Sequence, residues 1–218
     1  MNIKRKDGKT MRVILLNGSP RGEKCTYTAL KIAAEELEKN GIETEIVNIG
    51  NDAIKGCIGC GACARTGKGC AFGSDGVNAF IEKMKSADGL IIGSPVHYAS
   101  ASGAISSFMD RVSYAGGSAL AFKPGAAVVS CRRGGATAAL DQLNKYFTIL
   151  NMPIVSSNYW NMVHGGTPEE VLKDEEGVQT IRTLGKNMAW IIKAIDLAKK
   201  SGISHPEPEE KIRTNYIR

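Results

Sequence analysis

Short apolar runs alternate with longer amphipathic stretches along most of this chain, and this alternation constrains the fold more than any other feature. Runs such as RVILLNGS and GLIIGSP are typical of buried strands that end in tight turns. Between them, TYTALKIAAEELEKNG carries apolar residues at helical spacing and a glycine where the helix should stop. Strands that alternate with helices predict a parallel sheet covered by helices on both faces.

Five segments have the pattern expected of a strand. They are RVILLNGS, IETEIVNI, GLIIGSP, GAAVVSC and MPIVSSNYW. Five strands favour a flavodoxin-like three-layer α/β sandwich with a five-stranded parallel sheet in the order 2-1-3-4-5. After the last of these segments, Thr167 as N-cap, Pro168 at the first helical position and Glu170 in a capping box predict a long helix that ends near Lys200.

The length of 218 residues suits one domain. We expect a flexible N-terminal segment at 1–10, a single domain at 11–200 and a charged, proline-containing tail at 201–218. Within the domain, residues 50–76 form a cysteine-rich insert that is too long and too rich in glycine for an ordinary connection. Loops of that length are usually functional.

The net charge of +6 and the sequence pI near 9.0 leave several kinds of partner open. The basic residues are scattered, and aromatic residues make up only 6% of the chain, so we expect no nucleic-acid partner. No apolar run approaches the ~18 residues of a spanning helix, and the basic N-terminus lacks the apolar segment of a secretory signal. We therefore expect a cytoplasmic protein without a membrane partner.

The turns that follow the strands are chemically distinctive. After the first strand, NGSPRGEKCT combines a helix start with the hydroxyls of Ser19 and Thr26 and the guanidinium of Arg21, which together favour an anion. The Walker pattern and G-x-G-x-x-G are both absent, so a single phosphate is favoured over ATP or a deeply bound NAD. Ligands of open α/β sheets lie outside the carboxyl ends of the strands.

Two further strand ends suit a planar cofactor. Val96, His97 and Tyr98 follow Pro95 after the third strand and offer apolar and aromatic area. The segment SCRRGG at 130–135 follows the fourth strand, and its glycines allow the backbone to approach a ligand closely. Each loop alone would be an ordinary turn, but together they predict a pocket for a flat ring with a phosphate tail.

Residues 11–200 resemble the NADPH-dependent FMN reductase family of flavodoxin-like proteins. The matching segments are LLNGSPR with Thr26, GSPVHYASASGAISSFMDR and SCRRGG. The resemblance implies that FMN binds, with its phosphate held by Ser19, Arg21 and Thr26. It implies that a second set of residues surrounds the isoalloxazine ring, namely Pro95, Val96, His97, Tyr98, Ser130, Arg132, Gly134 and Gly135. Cys25 and His97 depart from the residues common in the family.

Four cysteines cluster in the insert, in the pattern Cys57-x2-Cys60-x2-Cys63-x6-Cys70. In a reducing cytosol this spacing indicates a metal or redox chemistry rather than disulfides. The pattern resembles that of the iron–sulfur flavoproteins, a branch of the same family, and so implies a [4Fe–4S] cluster. A zinc site, a redox dithiol and unligated thiols remain alternatives.

These features favour an FMN-dependent oxidoreductase that passes electrons from NAD(P)H to a quinone, a nitro or azo compound, a flavin or another acceptor. An electron carrier reduced by ferredoxin and a zinc or redox-sensing module are the alternatives. The family also implies a homodimer or homotetramer. No single catalytic residue is predicted: Cys25 and Cys131 are expected to pack near the pocket, and Asp110 and Arg111 to form an ion pair at a helix end.

Overall fold

The apolar runs form a six-stranded sheet in the computed structural model, which describes Gly8 and residues 10–217. The strands are β1 Arg12–Asn17, β2 Glu43–Asn48, β3 Gly89–His97, β4 Ser100–Ala101, β5 Gly125–Cys131 and β6 Met162–His164. The five parallel strands lie in the order β2-β1-β3-β5-β6, while β4 pairs antiparallel with the end of β3. The predicted parallel order is confirmed. Apart from Gly8 and Thr10, the segment 1–10 that was expected to be flexible lies outside the described residues.

Helices cover both faces of this sheet. They are α1 Cys25–Lys39, α2 Ala62–Thr66, α3 Val77–Ser86, α4 Gly103–Leu120, α5 Ala136–Ile149, α6 Pro168–Lys173 and α7 Glu175–Lys200. Side chains of β1 alternate between two hydrophobic cores: Ile14 and Leu16 pack with α3, α4 and α5, whereas Val13 and Leu15 pack with α1 and α7. The period of two thus places one helical layer on each face of the sheet.

The last strand lies later in the chain than the sequence predicts. Within the predicted segment MPIVSSNYW, Ile154 makes an isolated bridge to Gly125, and the Val155 amide donates to the Gly125 carbonyl. The paired strand is instead β6, which continues the ladder along β5 from Met162 to His164. The apolar run and the paired segment are therefore not the same residues. The short strand β4 was also not predicted.

The C-terminal helix is divided in two. Asp174 interrupts it, and its Oδ1 accepts a hydrogen bond of 3.0 Å from the Gly177 amide at the start of α7. Thr167 caps α6 as predicted, accepting from the Glu170 amide at 3.2 Å. The Glu170 carboxylate accepts from Gly166 rather than from the N-cap amide, so the capping box is displaced by one residue.

Beyond α7, the tail lies exposed against the domain. The His205 ring stacks on Phe122 with centroids 4.2 Å apart and planes 5° apart, and Arg213 reaches the cysteine insert. Among the described residues, no helix combines the length and the apolar content that crossing a membrane requires.

Candidate functional site

The loop after β1 is organised by a buried asparagine that the sequence analysis did not single out. The Asn17 Oδ1 accepts from the Ser19 amide at 3.1 Å. Its Nδ2 donates to the Gly22 carbonyl at 3.1 Å and to Asn48 Oδ1 at 2.7 Å. These bonds tie the loop to β2 and satisfy an amide that is costly to bury unpaired. An asparagine that ends an otherwise apolar strand is the sequence signal for this role.

Thr26, which was predicted to hold the phosphate, contacts Ser130, which was predicted to lie beside the ring. The hydroxyls of Thr26 and Ser130 lie 2.8 Å apart, although 104 positions separate them in the sequence. The two residues are only 1% and 5% exposed. Thr26 lies in the first turn of α1 and Ser130 lies near the end of β5, so this contact joins the helix after β1 to the carboxyl end of β5.

Among the described helices, α1 is one of four, with α2, α3 and α5, whose starts have no side-chain cap. Ser102, Thr167 and Asp174 each cap their helix with a side-chain oxygen. In the described part of the chain, no side chain caps α1, and its first turn contains no acidic residue. Amide donors at a helix start that lack a side-chain acceptor favour an anion. This opening lies beside the buried hydroxyls of Ser19 and Thr26.

The loop after β3 is a tight hairpin. Tyr98 and Ala99 turn the chain between β3 and β4 with φ angles of 49° and 57°, which non-glycine residues seldom adopt. Gln142 of α5 braces the hairpin, because its Oε1 accepts from the Ala101 amide at 2.9 Å and from the Ser100 hydroxyl at 2.7 Å. The hairpin therefore holds the Tyr98 side chain fully exposed at the edge of the site.

The two glycines after β5 have different surroundings. Gly135 adopts φ +88°, and a Cβ there would lie 2.7 Å from Ala99 Cα, so only glycine lets this loop pack against the hairpin. Gly134 is open, with nothing within 4 Å of a Cβ. The sequence predicts that both glycines allow close approach of the backbone to a ligand. The structure shows that Gly135 allows close approach of the two protein loops.

Other residues predicted to contact the ring or the phosphate differ in their exposure. Pro95 and Val96 are half-buried, whereas Arg21, His97 and Arg132 are exposed. Two positive side chains thus stand at an edge lined by buried hydroxyls. Such an edge suits an anionic ligand with a flat apolar part.

The other two cysteines and several aromatic and histidine side chains differ in burial. Cys131 is buried, and burial raises the pKa of its thiol, in keeping with packing beside the pocket. Cys25 opens α1 and packs against the core layer that α1 shares with α7. Tyr114 and Trp160 are exposed. His164 lies at the end of β6, with Nδ1 3.5 Å from Asp174 Oδ2.

All four cysteines of the insert line one cavity of about 290 Å³. Cys57 and Cys60 are exposed, while Cys63 and Cys70 are half-buried. Four thiols around one cavity are the donor set that a [4Fe–4S] cluster requires. Across the residues that the structure describes, however, no three potential ligands are grouped closely enough to hold a metal ion. The ligand assignment from the sequence therefore stays a prediction.

Arg111 lies beneath this cavity, and its partner differs from the one the sequence suggested. It does not form a helix-end pair with Asp110, since Asp110 accepts a hydrogen bond of 2.6 Å from the Tyr146 hydroxyl. Both residues lie inside α4, and Arg111 instead forms a two-pronged ion pair with Asp75. The hydrogen bond from Arg111 lowers the pKa of Asp75, and the same bond raises the pKa of Arg111.

Known proteins resemble this chain both in sequence and in structure. Residues 11–167 match the family described as NADPH-dependent FMN reductase. An iron–sulfur flavoprotein of Methanocaldococcus jannaschii is 36% identical over 193 residues, covering 85% of this chain and 99% of that protein. A crystal structure of RosB with a bound intermediate has a TM-score of 0.68 at 17% identity and covers 96% of this chain and 93% of that chain. An archaeal flavodoxin has a TM-score of 0.56 at 15% identity, covers 84% and 99%, and shows the flavodoxin-like fold.

Proposed function

Because the chain belongs to the NADPH-dependent FMN reductase family and to its iron–sulfur flavoprotein branch, we propose that it is an FMN-dependent oxidoreductase that passes electrons from a reduced nicotinamide to a small-molecule acceptor. The acceptor classes are a quinone, a nitro or azo compound, a flavin or another oxidant. The bound flavin would supply hydride uptake from the nicotinamide and electron delivery to the acceptor. The protein supplies binding, orientation and charge.

The observation that carries this proposal is the buried contact between Thr26 and Ser130 beside the uncapped start of α1. In this proposal, these hydroxyls and that of Ser19 would donate to a phosphate, and the exposed Arg21 would add a positive charge. The amide groups of the first turn of α1 provide further donors. A phosphate would thus take the position at the start of α1 that a side-chain oxygen occupies at the starts of α4, α6 and α7.

The residues assigned to the ring act through shape and charge. The hairpin carrying Pro95, Val96, His97 and Tyr98 would flank one part of the isoalloxazine, and the segment 130–135 would lie along another edge. Arg132 and Arg133 are exposed cations that can stabilise the negative charge of a reduced ring. No side chain is assigned a proton-transfer role.

A hydroxyl replacement on α1 tests the phosphate assignment. Thr26→Val removes the buried hydroxyl and should weaken FMN binding about tenfold, since a hydrogen bond to a charged group contributes roughly 1.5–3 kcal/mol. The dissociation constant of riboflavin, which lacks the phosphate, should change little. Thr28→Val is the matched control, because the Thr28 hydroxyl of the same helix donates to the Lys24 carbonyl and is exposed. Equal losses for FMN and riboflavin, or equal losses in both variants, would contradict the assignment.

A second candidate function is supported by the cavity lined by Cys57, Cys60, Cys63 and Cys70. We propose that these thiolates hold a [4Fe–4S] cluster and that the protein then acts as an electron carrier reduced by ferredoxin. The branch membership and the four-thiol donor set support this candidate. Zinc and a free dithiol compete for the same residues.

Two assays separate the candidates. NADPH-dependent reduction of ferricyanide supports the reductase, whereas reduction by ferredoxin without NADPH activity supports the carrier. Iron, sulfide and zinc contents after anaerobic purification identify what the cysteines hold. Protein without bound flavin, activity or metal would contradict both functions.

The organisation proposed around this function is one FMN-binding domain at 11–200 that carries the insert 50–76 and the tail 201–218. A homodimer or homotetramer is also proposed, with exposed aromatic side chains such as Tyr114 and Trp190 as interface candidates. Sedimentation velocity measures the assembly, and substitution of either aromatic by a charged residue should lower the apparent mass if that residue lies in the interface.

A further inference from the structure

The guanidinium of Arg111 is buried beneath the cysteine cavity with only 1% of the side chain exposed. Its Nη1 donates to the Lys55 carbonyl at 3.2 Å, on the N-terminal side of Cys57. Its Nη2 donates to the Phe72 carbonyl, on the C-terminal side of Cys70. One side chain of α4 therefore joins the two ends of the segment that carries all four cysteines.

The orientation of this guanidinium is set by Asp75. The two carboxylate oxygens accept from Nη1 and Nη2, with the Nη2 contact at 2.9 Å. This fork leaves Nε facing the cavity, where it donates to Cys70 Sγ at 3.2 Å. A guanidinium has five N–H donors. They meet the Cys70 sulfur, the two Asp75 oxygens and the carbonyls of Lys55 and Phe72.

The sulfur is the one acceptor in this set that could change its charge on metal binding. Cysteine binds metals as the thiolate, which is a better hydrogen-bond acceptor than a thiol. Among the four cysteines that line the cavity, Cys70 is thus distinguished by a buried, oriented donor.

We propose that Arg111 is a positioning residue of the metal centre, which fixes Cys70 as the anchored ligand and raises the reduction potential of a four-cysteine cluster through its Nε–H···S hydrogen bond. The inference rests on the proposed [4Fe–4S] site and deepens it, since it names the residue of this chain that tunes the site. Hydrogen bonds to cluster sulfurs and burial are established determinants of cluster potentials.

The charge balance gives the direction of the effect. One electron from a titrant such as dithionite takes the four-thiolate cluster from a total charge of −2 to −3, and no proton or ligand is exchanged. A donor aimed at a ligand sulfur stabilises the more negative state and so favours reduction. The ion pair of Arg111 with Asp75 carries no net charge, so the hydrogen bond rather than a free positive charge is the main contribution.

The test uses full-length protein reconstituted anaerobically with iron and sulfide. In R111M/D75N the donor is removed while the net charge is unchanged. We expect its equilibrium constant for one-electron reduction to fall about tenfold, which corresponds to about 59 mV for one electron. In D75N the guanidinium is no longer neutralised, so the potential should shift in the opposite direction. R213M removes the exposed tail cation at the same cavity and should change the constant less than about threefold.

A potentiometric titration followed by electron paramagnetic resonance of the reduced cluster measures all four proteins. Potentials for R111M/D75N and wild type within a factor of about two in the equilibrium constant would overturn the inference. An equal shift in R213M would also overturn it, because that result would indicate a general effect of charge.

A measurement on protein without a substitution at Arg111 keeps the test decisive if the double variant does not fold. Wild-type protein labelled with ¹⁵N-arginine and reduced should show ¹⁵N hyperfine coupling in pulsed electron paramagnetic resonance. The coupling should persist in R65M and in R213M, which remove the other labelled arginines beside the cysteines. Its absence from the wild type would overturn the inference.

The iron content of the reconstituted protein distinguishes a failure of the cluster assignment from a failure of the role proposed for Arg111. Reconstituted wild-type protein without a four-iron cluster would overturn the cluster assignment and this inference together. A four-iron wild type whose potential does not depend on Arg111 would overturn this inference alone.

Discussion

The carboxyl edge of the sheet and the cysteine segment are both candidate redox sites, but they are built in opposite ways. At the sheet edge, the buried Asn17 side chain bonds the Ser19 amide and Asn48, and the buried hydroxyls of Thr26 and Ser130 bond each other. In the cysteine segment, Cys57 and Cys60 are exposed, and the segment contains only the five-residue helix α2. The first site is organised by the packing of the sheet. The second is organised mainly at its base, where Arg111 bonds Asp75 and both ends of the cysteine segment.

This difference has a consequence for ligand binding. A pocket whose polar groups are already oriented binds without reordering the chain. A loop whose ligands are exposed gains order from the metal, because binding free energy then contributes to folding. We therefore expect FMN to bind the metal-free protein, and the metal to protect the insert from proteolysis.

The largest expected effect lies at the base of the cysteine segment. Arg111→Met leaves the partly buried Asp75 carboxylate unpaired and removes both backbone contacts, so metal-free protein should lose about 3 kcal/mol of unfolding free energy. Urea denaturation measures this loss. Arg65→Met is the control in the same segment. The exposed Arg65 donates to the Cys60 carbonyl, and its loss should cost under about 0.5 kcal/mol. Equal losses of unfolding free energy in the two variants would show that the cysteine segment does not depend on the contacts of Arg111.

A medium effect is expected at the sheet edge. Gly135→Ala places a Cβ against Ala99 and imposes a left-handed conformation on alanine, so we expect a loss of about 2 kcal/mol in stability and weaker FMN binding. Gly134→Ala, one residue earlier, meets open space and should leave both quantities nearly unchanged. Thermal unfolding and FMN titration of the two variants provide the comparison. If the two substitutions behave alike, the hairpin does not constrain the site.

The smallest effect is a pH dependence at acid pH. Because Arg111 holds the pKa of Asp75 below the ordinary 3.8, the carboxylate contributes stability that is complete above that value. The contribution is lost as the pH falls through the lower, folded-state pKa. Between pH 6 and pH 3, wild type should therefore lose more unfolding free energy than Asp75→Asn, whereas above pH 5 the difference between the two should be constant. Parallel curves down to pH 3 would contradict the assignment.

The sequence predicted the repeated architecture well and the irregular parts poorly. Strong apolar runs specified β1, β3 and β5 and the parallel order. The apolar run around Ile154 predicts the last strand too early in the chain, because the three residues from Met162 to His164 carry too little pattern to be recognised. The hairpin at Tyr98 was missed since neither turn residue is glycine or asparagine.

In the candidate sites, too, local motifs were predictable from the sequence and long-range contacts were not. Motifs near single strand ends pointed to Ser19, Thr26 and Ser130, and the structure brings the last two into contact. The pairing of Arg111 with Asp75 joins residues 36 positions apart, and local patterns do not encode such a contact. The sequence instead suggests an ion pair of Arg111 with its neighbour Asp110.

The most direct test of the central claim, that the carboxyl edge is shaped for a flavin with one phosphate, is a fluorescence titration of metal-free protein with FMN and with riboflavin. We predict saturable quenching by both, with FMN bound at least about tenfold more tightly, a difference of about 1.4 kcal/mol. Equal affinities, or flavin fluorescence that the protein does not quench, would contradict the claim.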